Sequence, residues 1–276
     1  MSLIKFMPSI KKRKAKSSDF LNANDISDMA NQFIDEALQK RKKNEQKRSY
    51  LGASMIGEPC LRKIQYIIEG KEQDMSGKGV RILDLGHLLE EKIASWLNES
   101  GFVLKTKNTK GAQYGFSIAE GEIAGHIDGI VKRMPDKMLK QLNEKLSKQS
   151  LKVIDKECNI LWECKTLNSS SWKDTKKHGI FVSKPTYYVQ VQLYMAYMNF
   201  DYTLFTAFNK DTAEFYHEIV PFDAEDAQMY SDKAVKLFLA KRYKEVQPKI
   251  SEDQNFYLCK MCIFKNLCHN MEEIDD

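Results

Sequence analysis

Ile160-Leu161-Trp162-Glu163-Cys164-Lys165-Thr166 is the stretch on which the fold turns. Its β-branched and aromatic content predicts a strand over residues 160–166, and on a strand residues i and i+2 point to one face. Glu163 and Lys165 therefore share a face, and Cys164 points away. An acid and a lysine side by side behind an apolar pair answer no packing need.

The flanking sequence supplies the rest of an α/β domain. Residues 79–98 carry Ile82, Leu85, Leu88, Leu89, Ile93 and Trp96 at helical steps, with Gly101 just past the end. Residues 113–119 and 122–132 alternate as two strands joined at Glu120-Gly121. Residues 135–151 are polar and Lys-rich and read as a loop or short helical insertion. Asn168-Ser169-Ser170-Ser171 caps a helix to His178, and Pro185 opens another over 187–199. Strands at 202–209 and 214–221 and a helix over 224–243 follow. This order predicts a mixed central sheet flanked by helices.

A second acid lies in Gly125-His126-Ile127-Asp128-Gly129, within the strand over 122–132. If that strand pairs with 160–166, Asp128 approaches Glu163. Two carboxylates then hold a hard divalent cation such as Mg²⁺ or Mn²⁺, which activates water and grips a phosphate. Lys165 can orient the attacking water or balance developing charge. Asp155 and Glu157 are rival acids, but neither has a lysine two residues on.

Asp128 followed by Glu163-x-Lys165 resembles the PD-(D/E)XK nuclease superfamily, and its surroundings resemble the RecB-like branch. Gly86-His87, with Glu90 and Glu91 following, is similar to the branch's helical histidine. Gln190-Val191-Gln192-Leu193-Tyr194 is similar to its Gln-x-x-x-Tyr signature, whose two residues share a helix face. The resemblance implies catalytic Asp128, Glu163, Lys165, Gln190 and Tyr194. It also implies a metal shell from His87, Asp128, Glu163 and the backbone carbonyl of Cys164, with Gln190 and Tyr194 contacting DNA or supporting the metal. His126 and Gln192 are further candidates, each equally readable as packing.

Cys259-Lys-Met-Cys262, then Cys268, offer three soft ligands close together, with Cys60 about 200 residues earlier. Thiolates suit Zn²⁺ and iron–sulfur clusters alike. Their order around the nuclease core resembles AddB-type and CRISPR-associated RecB-like exonucleases. That resemblance implies a structural [4Fe–4S] cluster, with Zn²⁺ as the other occupant, stapling the C-terminus to the helical region before the core. Cys158 and Cys164 read as buried thiols, and His269 as a substitute ligand.

Charge separates the chain into a basic arm (1–50) and a nuclease domain (51–276). Residues 1–50 hold 12 Lys/Arg against 6 Asp/Glu, leaving 31 against 32 elsewhere in a chain of net charge +5. Lys11-Lys12-Arg13-Lys14 and Lys40-Arg41-Lys42-Lys43 flank a helix expected over 26–38. Such clusters attract phosphates, and a solvated arm reads the same way. No apolar run spans a membrane and no leader opens the chain, so a cytoplasmic place in a prokaryotic or phage-infected cell is expected.

The function expected is metal-dependent DNA hydrolysis, as an exonuclease on single-stranded ends, in recombination, repair, replication or phage and CRISPR DNA processing. Recombination or replication proteins are the expected partners, and tyrosines 187, 188, 194 and 197 are potential stacking surfaces. A lambda-type exonuclease on double-stranded ends is the enzymatic alternative, since the Gly125 strand and the Tyr187–Tyr194 helix are also similar to that type. A catalytically inactive DNA-binding scaffold is the alternative from another class.

Overall fold

A computed structural model describes residues 23–45, 50–73 and 75–270. The chain forms two units, Met1–Glu45 with Met75–Arg81, and Gln46–Asp74 with Ile82–Asp276. The Lys11–Lys14 cluster lies outside the described residues. In the first unit the expected helix extends to α1 (Ala23–Asn44), which absorbs Lys40–Lys43 into its last turns. Arg81 pairs with Asp35, and Gln39 donates to the Met75 carbonyl at 3.3 Å.

The second unit begins with β1 (Leu51–Gly52), α2 (Ala53–Ile56) and α3 (Leu61–Ile68). The long helix α4 (Gly77–Glu99) follows, then β2 (Val103–Lys105), β3 (Gly115–Ile118), β4 (Ile123–His126) and β5 (Gly129–Arg133). Next come α5 (Asp136–Lys148), β6 (Ile160–Leu167), α6 (Ser169–Ser183), α7 (Pro185–Met198), β7 (Tyr202–Asn209) and β8 (Phe215–Pro221). The chain continues through α8 (Ala224–Tyr243), α9 (Tyr257–Lys260) and α10 (Lys265–Asn270).

Five strands form a mixed sheet in the order β2-β5-β6-β7-β8, in which only β6 and β7 run parallel. Strands β1, β4 and β3 form a separate three-stranded sheet. The strand expected over 122–132 is thus two strands in two sheets, broken at Ile127-Asp128. The break lets the Ile127 N–H bond to the Tyr114 carbonyl at 3.0 Å and Asp128 turn toward β6.

Strand β6 is the middle of the large sheet and divides the core by parity. Leu161 and Leu167 pack into one cluster with Trp172 and Ile180 of α6, Val191 and Leu193 of α7, and Leu237 of α8. Ile160, Trp162 and Cys164 pack into another with Ile93 and Leu97 of α4 and Leu139 and Leu146 of α5. Helices therefore cover both faces, as expected of an α/β layer fold. Burying both faces makes β6 apolar up to Cys164 apart from Glu163, and Lys165 and Thr166 follow as half-buried polar residues.

Local chemistry sets several boundaries. Asn168 caps α6 by accepting the Ser171 N–H, Asp223 caps α8 by accepting the Glu225 and Asp226 N–H groups, and Pro185 opens α7. Residues 135–151 hold α5, whose Leu139 and Leu146 are buried. On α4 the core face is Ile93, Ala94 and Leu97, while Ile82, Leu85 and Leu88 stay exposed. Of the expected apolar stripe, Ile93 is buried and Leu89 partly so, while Trp96 stays exposed.

Gly125 is required by close approach. A Cβ there would lie 2.4 Å from Cε1 of Tyr194. The Gly125→Ala variant is expected to lose about 1–3 kcal/mol of stability in urea unfolding, the usual cost of overpacking. An unchanged midpoint would show that the Tyr194 ring is free to shift.

Candidate active site

Asp128 and Glu163 meet because β5 pairs antiparallel with β6. Gly129 is registered with Trp162, which brings Asp128 level with Glu163. Asp128 Oδ2 accepts the Cys164 backbone N–H at 2.8 Å, fixing the acid onto the neighbouring strand. The carboxylate of Glu163 is fully buried. Its Oε1 accepts from Gln190 Nε2 at 2.7 Å and from the Lys165 ammonium. Its Oε2 has no hydrogen-bond partner. An unpaired buried acceptor costs about 1–3 kcal/mol, so this oxygen is held open against a penalty.

The electrostatics follow from burial and crowding. Burial, then the charge of Asp128, pushes the Glu163 carboxyl up to about 8, with Lys165 pulling the other way. Burial and Asp128 likewise push Glu90 up to about 7. Burial raises Asp128 against Lys165, the Cys164 N–H and His87. Desolvation disfavours the Lys165 ammonium, but Glu163 and Asp128 outweigh it and raise its pKa. Lys165 stays charged beside acids that ionise reluctantly.

Most of the expected constellation converges. Gln190 donates to both Glu163 and the Tyr194 hydroxyl, the latter at 3.2 Å, so the two helix residues back the acid. Both are buried. His87 lies on α4, exposed, near enough for its charge to act on Asp128. The Cys164 thiol belongs to the opposite face of β6, and burial raises its pKa.

Other candidates fall away. Gln192 donates to the Pro221 carbonyl and accepts the Asp223 N–H, both at 2.9 Å, tying α7 to the entry of α8. His126 is exposed at the end of β4, and Asp155 and Glu157 are exposed before β6. Of the four tyrosines on α7, Tyr188 and Tyr194 are core. Tyr197 is half-buried against Phe116.

Two groups join the site that the sequence pattern did not assign. Glu90 stands three residues after His87 on one helix, a spacing that puts both on one face. That spacing was the available signal. Tyr187, expected only as a stacking surface, places its ring 5.3 Å from Lys165 Nζ.

Cys60, Cys259, Cys262, Cys268 and His269 all line one cavity of about 480 Å³. Burial, then the neighbouring Cys60 and Cys262, raises Cys259 above the usual thiol range, and burial raises Cys268. The expected cluster is not assembled, however. Among the described residues, no group of three or more His, Cys, Asp or Glu side chains stands where it could hold a metal, here or at Glu163. Hydrogen bonds already join the C-terminal segment to α3. Arg62 Nε donates to the Gln247 carbonyl at 2.5 Å, and the Gln247 N–H donates to Gln65 at 2.8 Å.

No protein-family model matches the chain, and no curated protein matches its sequence. Among solved structures, the chain is similar to SSO0001, with a TM-score of 0.49 and 16% identity over 87% of this chain and 96% of that one. It is similar to LHK-Exo in complex with dAMP, with a TM-score of 0.49 and 14% identity over 71% and 89% of the two chains. It is also similar to the alkaline exonuclease LHK-Exo from Laribacter hongkongensis, with a TM-score of 0.46 and 17% identity over 72% and 93%.

The raised carboxyls predict a pH-dependent stability. A carboxyl whose folded pKa exceeds its unfolded value stabilises below the unfolded value and loses that contribution as pH rises through the folded one. For Glu163 the window runs from about 4.5 to about 8, and Lys165 stays protonated throughout it. In chelator, melting temperature should fall from pH 5 to pH 8, and fall less in Glu163→Gln. Parallel pH profiles for the two proteins would mean that Glu163 ionises freely in the fold.

Proposed function

We propose that this chain is a divalent-cation-dependent nuclease that hydrolyses DNA phosphodiesters, acting as an exonuclease on single-stranded ends. The observation that carries the reading is the level placement of Asp128 and Glu163 on paired strands, with Lys165 bound to Glu163, Glu90 close enough to feel the charge of Asp128, and one buried Glu163 oxygen without a partner. Ionised together they sum to two negative charges, which one divalent cation cancels. Glu163, Asp128 and Glu90, with His87 and the Cys164 carbonyl, are the groups that would hold Mg²⁺ or Mn²⁺. When bound, the cation supplies Lewis acidity toward a phosphate oxygen and lowers the pKa of water.

The chain's own residues do the positioning. Gln190 anchors Glu163 Oε1 and so directs Oε2 outward from its hydrogen-bonded edge. The Cys164 N–H fixes Asp128 by one oxygen and leaves its other free of that bond. Lys165 remains protonated, so it acts as a cation toward a pentavalent phosphorane or as a donor that orients the attacking water. Tyr194 supports Gln190 from behind.

With Mg²⁺ or Mn²⁺, end-labelled DNA should be cut. Glu163→Gln and Lys165→Ala should each lower the rate by about 10²–10³, the scale of losing one electrostatic catalytic group. The rate should rise with pH toward about 8 as Glu163 sheds its proton. Cutting that persists in chelator, or in Glu163→Gln, would overturn the assignment.

We also propose that Cys60, Cys259, Cys262 and Cys268 hold a [4Fe–4S] cluster rather than Zn²⁺. Support comes from their common cavity and from the Cys259 and Cys268 thiols, which burial favours in the neutral form until a metal displaces their protons. Anaerobically purified protein should carry about four irons per chain. Cys259→Ser should lose them, and a colourless protein with zinc would reverse the choice.

A further inference from the structure

Helix α6 begins at Ser169, three residues after Thr166 of the catalytic strand, and packs on the face of the sheet that shares the parity of Glu163 and Lys165. Its buried side is set by Trp172, Thr175 and Ile180. Its other side carries Lys173, Lys176 and Lys177, all exposed and at spacings that put them together. The helix's acid, Asp174, is already engaged by His178 at 3.0 Å and Lys184 at 3.3 Å. Lys173, Lys176 and Lys177 meet no carboxylate among the described residues, and Lys176 Nζ lies 4.8 Å from the Trp172 ring.

The helix then breaks. Gly179 adopts φ 71°, ψ 171°, which favours glycine, and a Cβ there would lie 3.0 Å from Glu218 Oε1. Glu218 Oε2 accepts the Ile180 N–H at 3.0 Å and the Tyr216 hydroxyl at 2.9 Å. Ser183 Oγ donates back to the Gly179 carbonyl at 2.6 Å. These bonds fix a short final turn that holds Phe181 62% exposed and Val182 65% exposed. Phe181 is backed edge-on by Tyr188 at 4.9 Å, so its outer face is both rigid and bare.

Exposed lysines without a carboxylate partner, followed within one short turn by a backed and exposed aromatic, are the chemistry that grips a phosphate backbone and stacks an unpaired base. A paired base keeps its faces inside the duplex and cannot use such a ring. From this we infer that the outer face of α6 is a track for single-stranded DNA leaving or entering the catalytic strand. Lys173, Lys176 and Lys177 contact phosphates, and Phe181 stacks on a base. The inference rests on the nuclease reading for its substrate but not for its test.

The test is fluorescence anisotropy of the full chain in chelator, where nothing is cut, with a labelled single-stranded oligonucleotide and its duplex. Phe181→Ala should weaken single-strand binding about tenfold, the size of one lost stack, and leave duplex binding within about twofold. Phe181→Trp should restore it. Replacing Lys173, Lys176 and Lys177 with Gln should flatten the dependence of log affinity on log salt by about 2 for single strands. The ring is exposed, so Phe181→Ala should keep the wild-type melting temperature, which checks folding. Unchanged single-strand affinity in Phe181→Ala, equal losses on both substrates, or no binding by the wild type would overturn the track. If the track variants behave as expected but the wild type cuts nothing with Mg²⁺ or Mn²⁺, the nuclease reading fails and the binding surface stands.

Discussion

A buried carboxylate with only one oxygen hydrogen-bonded by the protein sits at the centre of this chain, on the middle strand of its main sheet. Glu163 is fully buried, and its Oε2 is unpartnered. A charge in such a place persists only when paired or when a cation is recruited. Lys165 pairs with one oxygen, and Gln190 donates to the same one. The surrounding structure keeps that geometry in place: β5 delivers Asp128 opposite, α4 delivers Glu90 and His87, and α7 packs Gln190 and Tyr194 behind.

The same constraint explains why the core is divided as it is. Strand β6 needs apolar neighbours on both faces to stay in the middle of the sheet, and it has them in two separate clusters. Its polar pair lies within that strand, on the parity of Leu161 and Leu167, whose face α6 and α7 cover. Gly125 lets the Tyr194 ring close over β4, and the break at Ile127-Asp128 frees the second acid to reach β6.

Much of this was legible in the sequence because it depends on periodicity and short-range chemistry. The parity of Glu163 and Lys165, the cap at Asn168, and the Gln190–Tyr194 spacing are local properties. What stayed hidden depends on distant partners. The split of residues 122–132 into two sheets turns on the carbonyl of Tyr114 and the N–H of Cys164, neither near in sequence. Glu90 was named only as following His87, and its nearness to Asp128 depends on where α4 packs. The burial of Gln190 and Tyr194 likewise comes from α7 packing on the sheet, which an i, i+4 spacing does not reveal. The four cysteines were expected as a formed cluster, and the fold instead gathers them around a cavity with the C-terminal segment tied to α3 by hydrogen bonds.

The central claim, that the Glu163 carboxylate is kept open for a cation, is tested most directly by calorimetric titration of Mn²⁺ into metal-free protein at pH 6.5, in two buffers of different ionisation enthalpy. Mn²⁺ should bind and release protons, because carboxyls raised to about 7 and about 8 must ionise to meet it. Glu163→Gln should abolish both the binding and the release. Mn²⁺ binding of equal strength in Glu163→Gln, with no proton released, would contradict the account.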